Sequence, residues 1–502
     1  QVEMLVALFP PPFLPLCAPT SGPRLRGLAA ARRAAALPST PTTPGMAPSR
    51  VLVVGAGATG ACVALALRRT MGRNVTIEVW EKARGPGGRM STNRQEFNDA
   101  TVRADMGAQY LSLDSADKAC AEVADMLVKE GACSAVPASV LSNTPERPSG
   151  ESWKHLVGAS GGVNDALKVL LGSAEVEPHY EKRVASLDAQ QGQWRARPFD
   201  GSPGMFDAVV IAVPGCGVGG DNLNKIRGSW ENMISAEQNK QLQAVEHDHR
   251  WSFALYLPLD CSAKCEAFFG PSAVEKVVDD GTMHMLCYQS RKVAQATNTE
   301  PAGALVLIAH TTLAWAKRNA RASGRDERLL KEISERVASV LGLPGPISRL
   351  MMGSKVITWK QSQVTSPIPL NAAVGPCMLL STQPPLLLAG DYFTESNFGG
   401  CLRSGFGAAD LLAKVLKGEC PPAILEAAAS GDRDSGGKGT KRQGEGNKGK
   451  AGGDAGKGYS SRGKGDKGGY NSRPSDSNWQ QGGWEEQKGG GGKSGNQGGK
   501  RW

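Results

Sequence analysis

The sequence predicts an α/β fold, on three observations. An apolar run at 51–54 enters a Gly-x-Gly-x-x-Gly turn, a helix and a second strand that ends in an acid. A second buried-strand run at 386–389 ends in Gly390-Asp391 and leads into a helix with one apolar face. Residues 431–502 hold 24 Gly, 15 Lys and Arg and 8 Asp and Glu in 72 positions, with no Val, Leu, Ile, Phe or Met, so they cannot bury a core. They are expected to form a disordered tail. With 502 residues, two or three structural units are expected.

At the N-terminal end, residues 1–49 contain ten Pro, four Arg and one acid, and no Asp or Glu occurs between Met4 and Ile77. Arg24, Arg26, Arg32 and Arg33 among Ala, Ser, Thr and Pro have the composition of a transit peptide, which would direct the protein to a plastid or mitochondrion. The other reading is a dispensable leader ahead of Met46, with a cytoplasmic protein. Pro10, Pro11, Pro12 and Pro15 interrupt the apolar start and argue against a signal-peptide helix.

Between the two ends, residues 50–430 carry 39 basic and 39 acidic side chains, so the net charge of +10 belongs to the ends. A neutral body argues against a nucleic-acid-binding core, which needs positive charge gathered on one surface. The eleven cysteines are scattered, and Cys261 and Cys265 lack the second pair a zinc site needs, so buried or surface thiols in a reducing compartment are expected and no metal site. His247 and His249 read as a solvated face. No apolar run approaches the length of a bilayer span. In the tail, Gly-Lys repeats interleave with Tyr459, Tyr470, Trp479, Trp484 and Trp502; weak binding to unpaired RNA and simple solvation are both open.

The βαβ unit is the strongest signal. Gly55 allows the tight turn, Gly57 lets the backbone approach a pyrophosphate, and Gly60 permits close packing of helix on strand. Glu81 follows Gly60 by 21 residues, where the end of the second strand brings a carboxylate to the ribose hydroxyls of an adenosine. NAD and FAD share that half. Two later features favour the longer nucleotide. Gly87-Gly-Arg-Met90 places the Arg89 guanidinium to return to the pyrophosphate or flavin side. Asp391 can hold a ribityl hydroxyl, and the N-terminus of the helix after Ser396-Asn-Phe-Gly-Gly400 can face flavin N1 and C2=O, where charge collects on reduction.

These segments, with Asp105-Met-Gly-Ala-Gln-Tyr110, His310-Thr-Thr312, Trp359-Lys-Gln-Ser-Gln-Val-Thr365 and 390–401, resemble the flavin amine-oxidase superfamily. The likeness spans most of 50–420, and within the superfamily it points to oxidases of off-pathway NADH or NADPH isomers. It implies a discontinuous Rossmann-like FAD-binding domain (50–120 with 155–215 and 385–420) and a mixed-sheet substrate domain (121–154 with 216–384). It further implies FAD contacts from Ala58, Thr59, Lys82, Gly88, Met90, Gln109, Tyr110, Phe398, Gly400 and Cys401, beside Gly55, Gly57, Gly60, Glu81, Arg89, Gly390 and Asp391. Val184 would meet the adenine.

The activity so implied is hydride transfer from the C2 or C6 position of a dihydronicotinamide to flavin N5, then reoxidation by O2 to hydrogen peroxide. Such a ring becomes aromatic on losing hydride, so no general base is required, and no acid-base dyad stands out in the sequence. Trp359, His310, Tyr288 and Phe253 are expected around the substrate; for Trp359 and Phe253, in strand-like runs, core packing is the other reading. The stretch Tyr288-Gln-Ser-Arg-Lys292 departs from the family's Asn and two Lys, and Arg291 is a candidate substitute for gripping substrate phosphate. Two alternatives stay open: a flavin amine oxidase or polyene desaturase, and a flavoprotein scaffold whose working part is an RNA-binding tail.

Overall fold

Four consecutive apolar residues, Val51-Leu-Val-Val54, suit the centre of a parallel sheet, because only a strand covered on both faces can be apolar at every position. A computed structural model, which describes residues 47–142, 147–214, 226–370, 375–422 and 424, places Ser49–Val54 there. This strand pairs in parallel with Val75–Trp80 and Ala208–Ile211; Pro385–Leu388 extends the parallel set, and antiparallel Met378–Thr382 closes that edge. Val51 and Val53 pack into the core beneath the helices Ala58–Met71 and Phe398–Lys417, while Leu52 and Val54 join Trp80, Trp194 and Phe206 on the opposite face. The helices approach backbone to backbone at Gly405, where a Cβ would lie 2.8 Å from Cys62 Cβ and 2.9 Å from Thr59 O. The leader up to residue 46 and the tail 431–502 lie outside the described residues, and the targeting and RNA-binding expectations with them.

A second five-stranded sheet is antiparallel throughout, in the order Glu275–Val277, Met283–Tyr288, Leu305–Thr311, Arg250–Leu257, Gly353–Trp359. Successive side chains of Arg250–Leu257 point to opposite faces. Trp251, Phe253, Leu255 and Leu257 pack beneath the helix Glu327–Leu341, whose Leu329, Ile333, Val337 and Leu341 recur at helical spacing. Burying each of those four contributes about 1.5–3 kcal/mol before entropy is subtracted. Asp326 caps this helix through the Arg328 N–H at 3.0 Å, and Gly342, at φ 62°, ends it in the left-handed region. Ala254 and Tyr256 face the other way with Cys287, Ile308, Ile357 and Trp359, against the hairpin Thr92–Phe97/Ala100–Asp105. The Asn93 side-chain amide donates to Tyr256 Oη at 2.7 Å and ties hairpin to sheet.

The packing redraws the expected domain boundaries. The helix Lys118–Lys129 and strand Cys133–Val136 contribute Val123, Ala124, Leu127 and Cys133 to the core under the nucleotide-side helices, so 121–136 belongs there, while Val140, Leu141 and Ser142 join the substrate sheet at Val274 and Glu275. Ile226, Trp230, Leu242, Ile368, Met378 and Leu380 line the far face of the parallel sheet, so the substrate sheet proper is confined to 250–359. Among the described residues no helix is long and apolar enough to cross a membrane.

Candidate active site

The glycine turn does what its spacing requires. Gly55 sits at φ +104°, donates its N–H to Trp80 O at 2.8 Å, and a Cβ there would come within 2.9 Å of Ala212 O. A Cβ on Gly60 would collide with Gly55 O at 1.9 Å, whereas one on Gly57 would meet nothing within 4 Å. Gly57 is thus the point where the turn opens outward. Ala58, Thr59 and Gly60 form the first turn of the helix, which has no side-chain cap and no acid. Its N–H groups and partial positive charge are left for an anion. Glu81 is buried at the end of the second strand, accepting from Ala56 N–H and Ala83 N–H, each at 2.8 Å, and so locks turn to strand. Lys82 beside it is exposed, and partial desolvation of its ammonium lowers its pKa.

A second glycine turn faces the first. Gly88, at φ +54°, would place a Cβ 3.9 Å from Gly57 Cα, and Met90 is buried in the core below. Arg89 crosses to the end of the strand at Gly390, where its guanidinium forks onto both Asp391 oxygens at 2.7 and 2.6 Å. Ser396 Oγ donates to the same carboxylate at 2.9 Å, and Arg89 also reaches Ser362 O at 3.0 Å. Burial would raise the Asp391 pKa, but Arg89 and Ser396 outweigh it and hold the carboxyl below its usual range. Gly400 follows at the start of the last helix; a Cβ there would strike Glu395 O at 2.0 Å, and the Asn397 side chain caps its N–H at 2.8 Å. Phe398 and Cys401 are buried on this helix, and burial followed by Asp391 pushes the Cys401 thiol up to about 12, so it stays protonated. Val184 lies buried in the core on the far face of the parallel sheet, as the first residue of Val184–Gln190.

The substrate-sheet face turned toward these turns presents a connected polar set. Trp359 Nε1–H donates to Met106 O at 3.1 Å and to Ser252 Oγ at 2.9 Å. Gly107 admits the indole: a Cβ there would be 3.4 Å from Trp359 Cζ2 and 2.0 Å from Arg89 O. Ser252 Oγ is 2.9 Å from His310 Nδ1, and His310 Nε2 is 3.2 Å from Gln109 Nε2. Burial, then Arg250, His284 and Lys292, push the His310 pKa down to about 3, so the ring is neutral at working pH.

Several expectations are corrected. Phe253 and Tyr288 pack in the core under the helix Glu327–Leu341, on the face opposite Trp359; Phe253 alternates with Ser252, and it is Ser252 that reaches His310. Gln109 is engaged by protein groups on both ends of its amide, and Tyr110 packs on Val140, Leu141 and Val274 with its ring edge-on to His155. Arg291 is committed to Glu266, to Gly270 O at 2.6 Å and to Ala273 O at 2.9 Å, so it does not serve substrate phosphate. His247 and His249 are half-buried rather than solvated, and His249 Nε2 meets Thr358 Oγ1 at 2.7 Å.

Sequence reasoning missed a buried ion pair. Lys292 is 2% exposed, and its Nζ donates to Asp105 Oδ2 at 3.0 Å, Gln109 O at 3.0 Å and Gln109 Oε1 at 3.1 Å. Asp105 is fully buried and also accepts from Thr92 Oγ1, Val163 N–H and the Gln289 amide.

The site fits a long dinucleotide. An open approach at Gly57, an uncapped helix end and the facing turn at Gly88 suit a pyrophosphate. Two buried polar atoms beside the second turn, Ser91 Oγ and His247 Nε2, have no hydrogen-bond partner among the described residues.

Comparison with known proteins agrees. A family model described as an NAD(P)-binding Rossmann-like domain matches residues 53–126. Renalase of Mus musculus is 25% identical over 370 residues, covering 73% of this chain and 100% of that protein. Two solved structures with TM-scores of 0.47 and 0.48 were also matched. A putative protoporphyrinogen oxidase from Exiguobacterium is 13% identical, covering 74% of this chain and 100% of that one; a putrescine oxidase is 12% identical, covering 73% and 99%. The protein is an FAD-dependent oxidoreductase with a Rossmann-like nucleotide domain. Over 73% of its length the chain resembles renalase.

The two glycines at the pyrophosphate separate folding from binding. Gly60→Ala is expected to give protein without FAD and with a disrupted turn, since its Cβ meets a carbonyl. Gly57→Ala should fold normally and weaken FAD binding roughly ten-fold or more, the change a lost close backbone approach produces. Flavin absorbance after purification and circular dichroism of both variants check this; equal flavin content in Gly57→Ala and the parent protein would contradict it.

Proposed function

We propose that the protein is an oxidase of NADH or NADPH isomers whose reducing hydrogen sits at C2 or C6 of the nicotinamide ring. Bound FAD supplies a two-electron acceptor at N5 and a route to O2. One dihydronicotinamide, one O2 and one proton are consumed; one oxidised dinucleotide and one hydrogen peroxide are released. The observation that carries this reading is the character of the face at Trp359. Trp359, Ser252, His310 and Gln109 form a neutral hydrogen-bonded set, and the charges behind it, Lys292 and Asp105, compensate each other at 3.0 Å.

A dihydropyridine gains aromaticity when hydride leaves, so the chain's own groups need only hold the ring flat and keep water away. Trp359 offers the flat surface, and its N–H contacts fix the indole plane. His310, neutral and enclosed, takes no proton from the substrate. Likeness to renalase over 370 residues supports the same reading.

Full-length protein with FAD is expected to take up O2 with the 2- and 6-dihydro isomers and release peroxide mole for mole, with ordinary NADH far slower. Trp359→Ala should slow this roughly ten- to hundred-fold while retaining FAD. Peroxide formed from amines alone would overturn the substrate, and loss of FAD from Trp359→Ala would recast that side chain as core.

A further inference from the structure

Hydrogen-bond polarity can be followed atom by atom from the buried ammonium to the indole. An ammonium only donates, so the Gln109 atom it meets at 3.1 Å is the amide oxygen. At the other end of that amide stand two acceptors, Asp105 O at 2.6 Å and Gly107 O at 3.1 Å, which require nitrogen. Both ends fix the same orientation independently. The amide therefore turns its NH2 group, whose two hydrogens are shared among these two carbonyls and the ring, toward His310 Nε2, 3.2 Å away, and a proton on that ring nitrogen would face a donor. The ring proton is thus on Nδ1, from where it donates to Ser252 Oγ at 2.9 Å. Ser252 Oγ accepts a second bond from Trp359 Nε1–H at 2.9 Å, since an indole N–H is only a donor. Every bond in the chain runs in one sense as far as Ser252, which takes both.

We propose that Lys292 and Gln109 are positioning residues, which lock His310 as the Nδ1–H tautomer and, through Ser252, hold the Trp359 indole in the plane used for hydride transfer. The consequence for catalysis rests on the reading of the Trp359 face as the substrate face; the tautomer does not. Lys292 is the anchor because all three of its hydrogens are used, two of them on Gln109. The charged and titratable groups facing His310 are Arg250, His284 and Lys292, all cationic or neutral, so the ring also stays unprotonated.

The test has two arms. In the first, the full chain labelled with 15N-histidine is examined by NMR between pH 5 and 9, with His310→Asn used to assign its signals. His310 is expected as a single Nδ1–H tautomer that does not titrate; an Nε2–H tautomer, a mixture, or titration in this range overturns the proposal whatever the substrate is. In the second, flavin reduction is timed in Gln109→Met, Ser252→Ala and the double variant. Gln109 and Ser252 share no hydrogen bond and meet only through His310, so each single change is expected to slow reduction about ten-fold and the double no more than the slower single. Multiplying effects would mean independent packing roles and would overturn the chain. Lys292→Met combined with Asp105→Asn, which leaves no unpaired charge, should match Gln109→Met; a wild-type rate would remove Lys292 from the proposal. Should no dihydronicotinamide reduce the flavin, the first arm still decides the tautomer.

Discussion

Lys292→Met is expected to cost about 3–5 kcal/mol of stability, because it leaves a carboxylate buried without its counter-charge. Asp105 is fully buried, so water cannot replace the ammonium. Three neutral donors remain, Thr92 Oγ1 at 2.7 Å, Val163 N–H at 2.9 Å and the Gln289 amide at 3.1 Å, which should keep the loss toward the lower end. Adding Asp105→Asn should recover most of it. The pH dependence follows from sign: burial would raise the Asp105 pKa, but Lys292, Thr92 and Val163 hold it below the usual value. Its stabilising contribution is therefore present above the unfolded pKa, near about 3.9, and lost as pH falls through the lower folded value. The gap between parent and Lys292→Met should narrow below about pH 4. Thermal and denaturant unfolding at pH 7 and pH 3.5 measure this; an equal gap at both would contradict the ion pair as its source.

Arg89→Met should have the second large effect, costing about 3 kcal/mol and emptying the flavin site. Asp391 is 3% exposed in its side chain while Arg89 is 28% exposed, so the two halves of the pair are not equivalent. Removing Arg89 strands a buried carboxylate with Ser396 as its remaining side-chain donor. Removing the charge from the other side, in Asp391→Asn, leaves a cation that already touches solvent and keeps Ser362 O. Asp391→Asn should therefore be much milder in stability. Flavin content and melting temperature of the two variants decide it, and equal destabilisation would contradict the asymmetry.

What the sequence could and could not say follows from range. The glycine turn, Glu81 and the strand ending at Asp391 are legible because each is a local pattern with one physical solution, apolar strand, tight turn and helix end. The stretch Arg250–Leu257 is not, for its strand is buried on both faces and alternation cannot tell which face meets the cofactor domain. Phe253 is one of the side chains expected around the substrate, yet it is Ser252 that faces His310. Lys292 lies in Gln289–Thr297, a helix polar enough to read as surface, and its burial is set by Asp105, 187 residues earlier. Arg291 is claimed by Glu266, which no spacing rule links to it.

The most direct test of the functional assignment is anaerobic stopped-flow reduction of the full-length FAD-loaded protein, followed at the flavin absorbance. It would be mixed separately with 2-dihydro and 6-dihydro isomers of NADH, ordinary NADH and benzylamine. Rapid bleaching by the two isomers alone, with peroxide appearing when air is admitted, is the expected result. Bleaching by benzylamine and not by either isomer would contradict it.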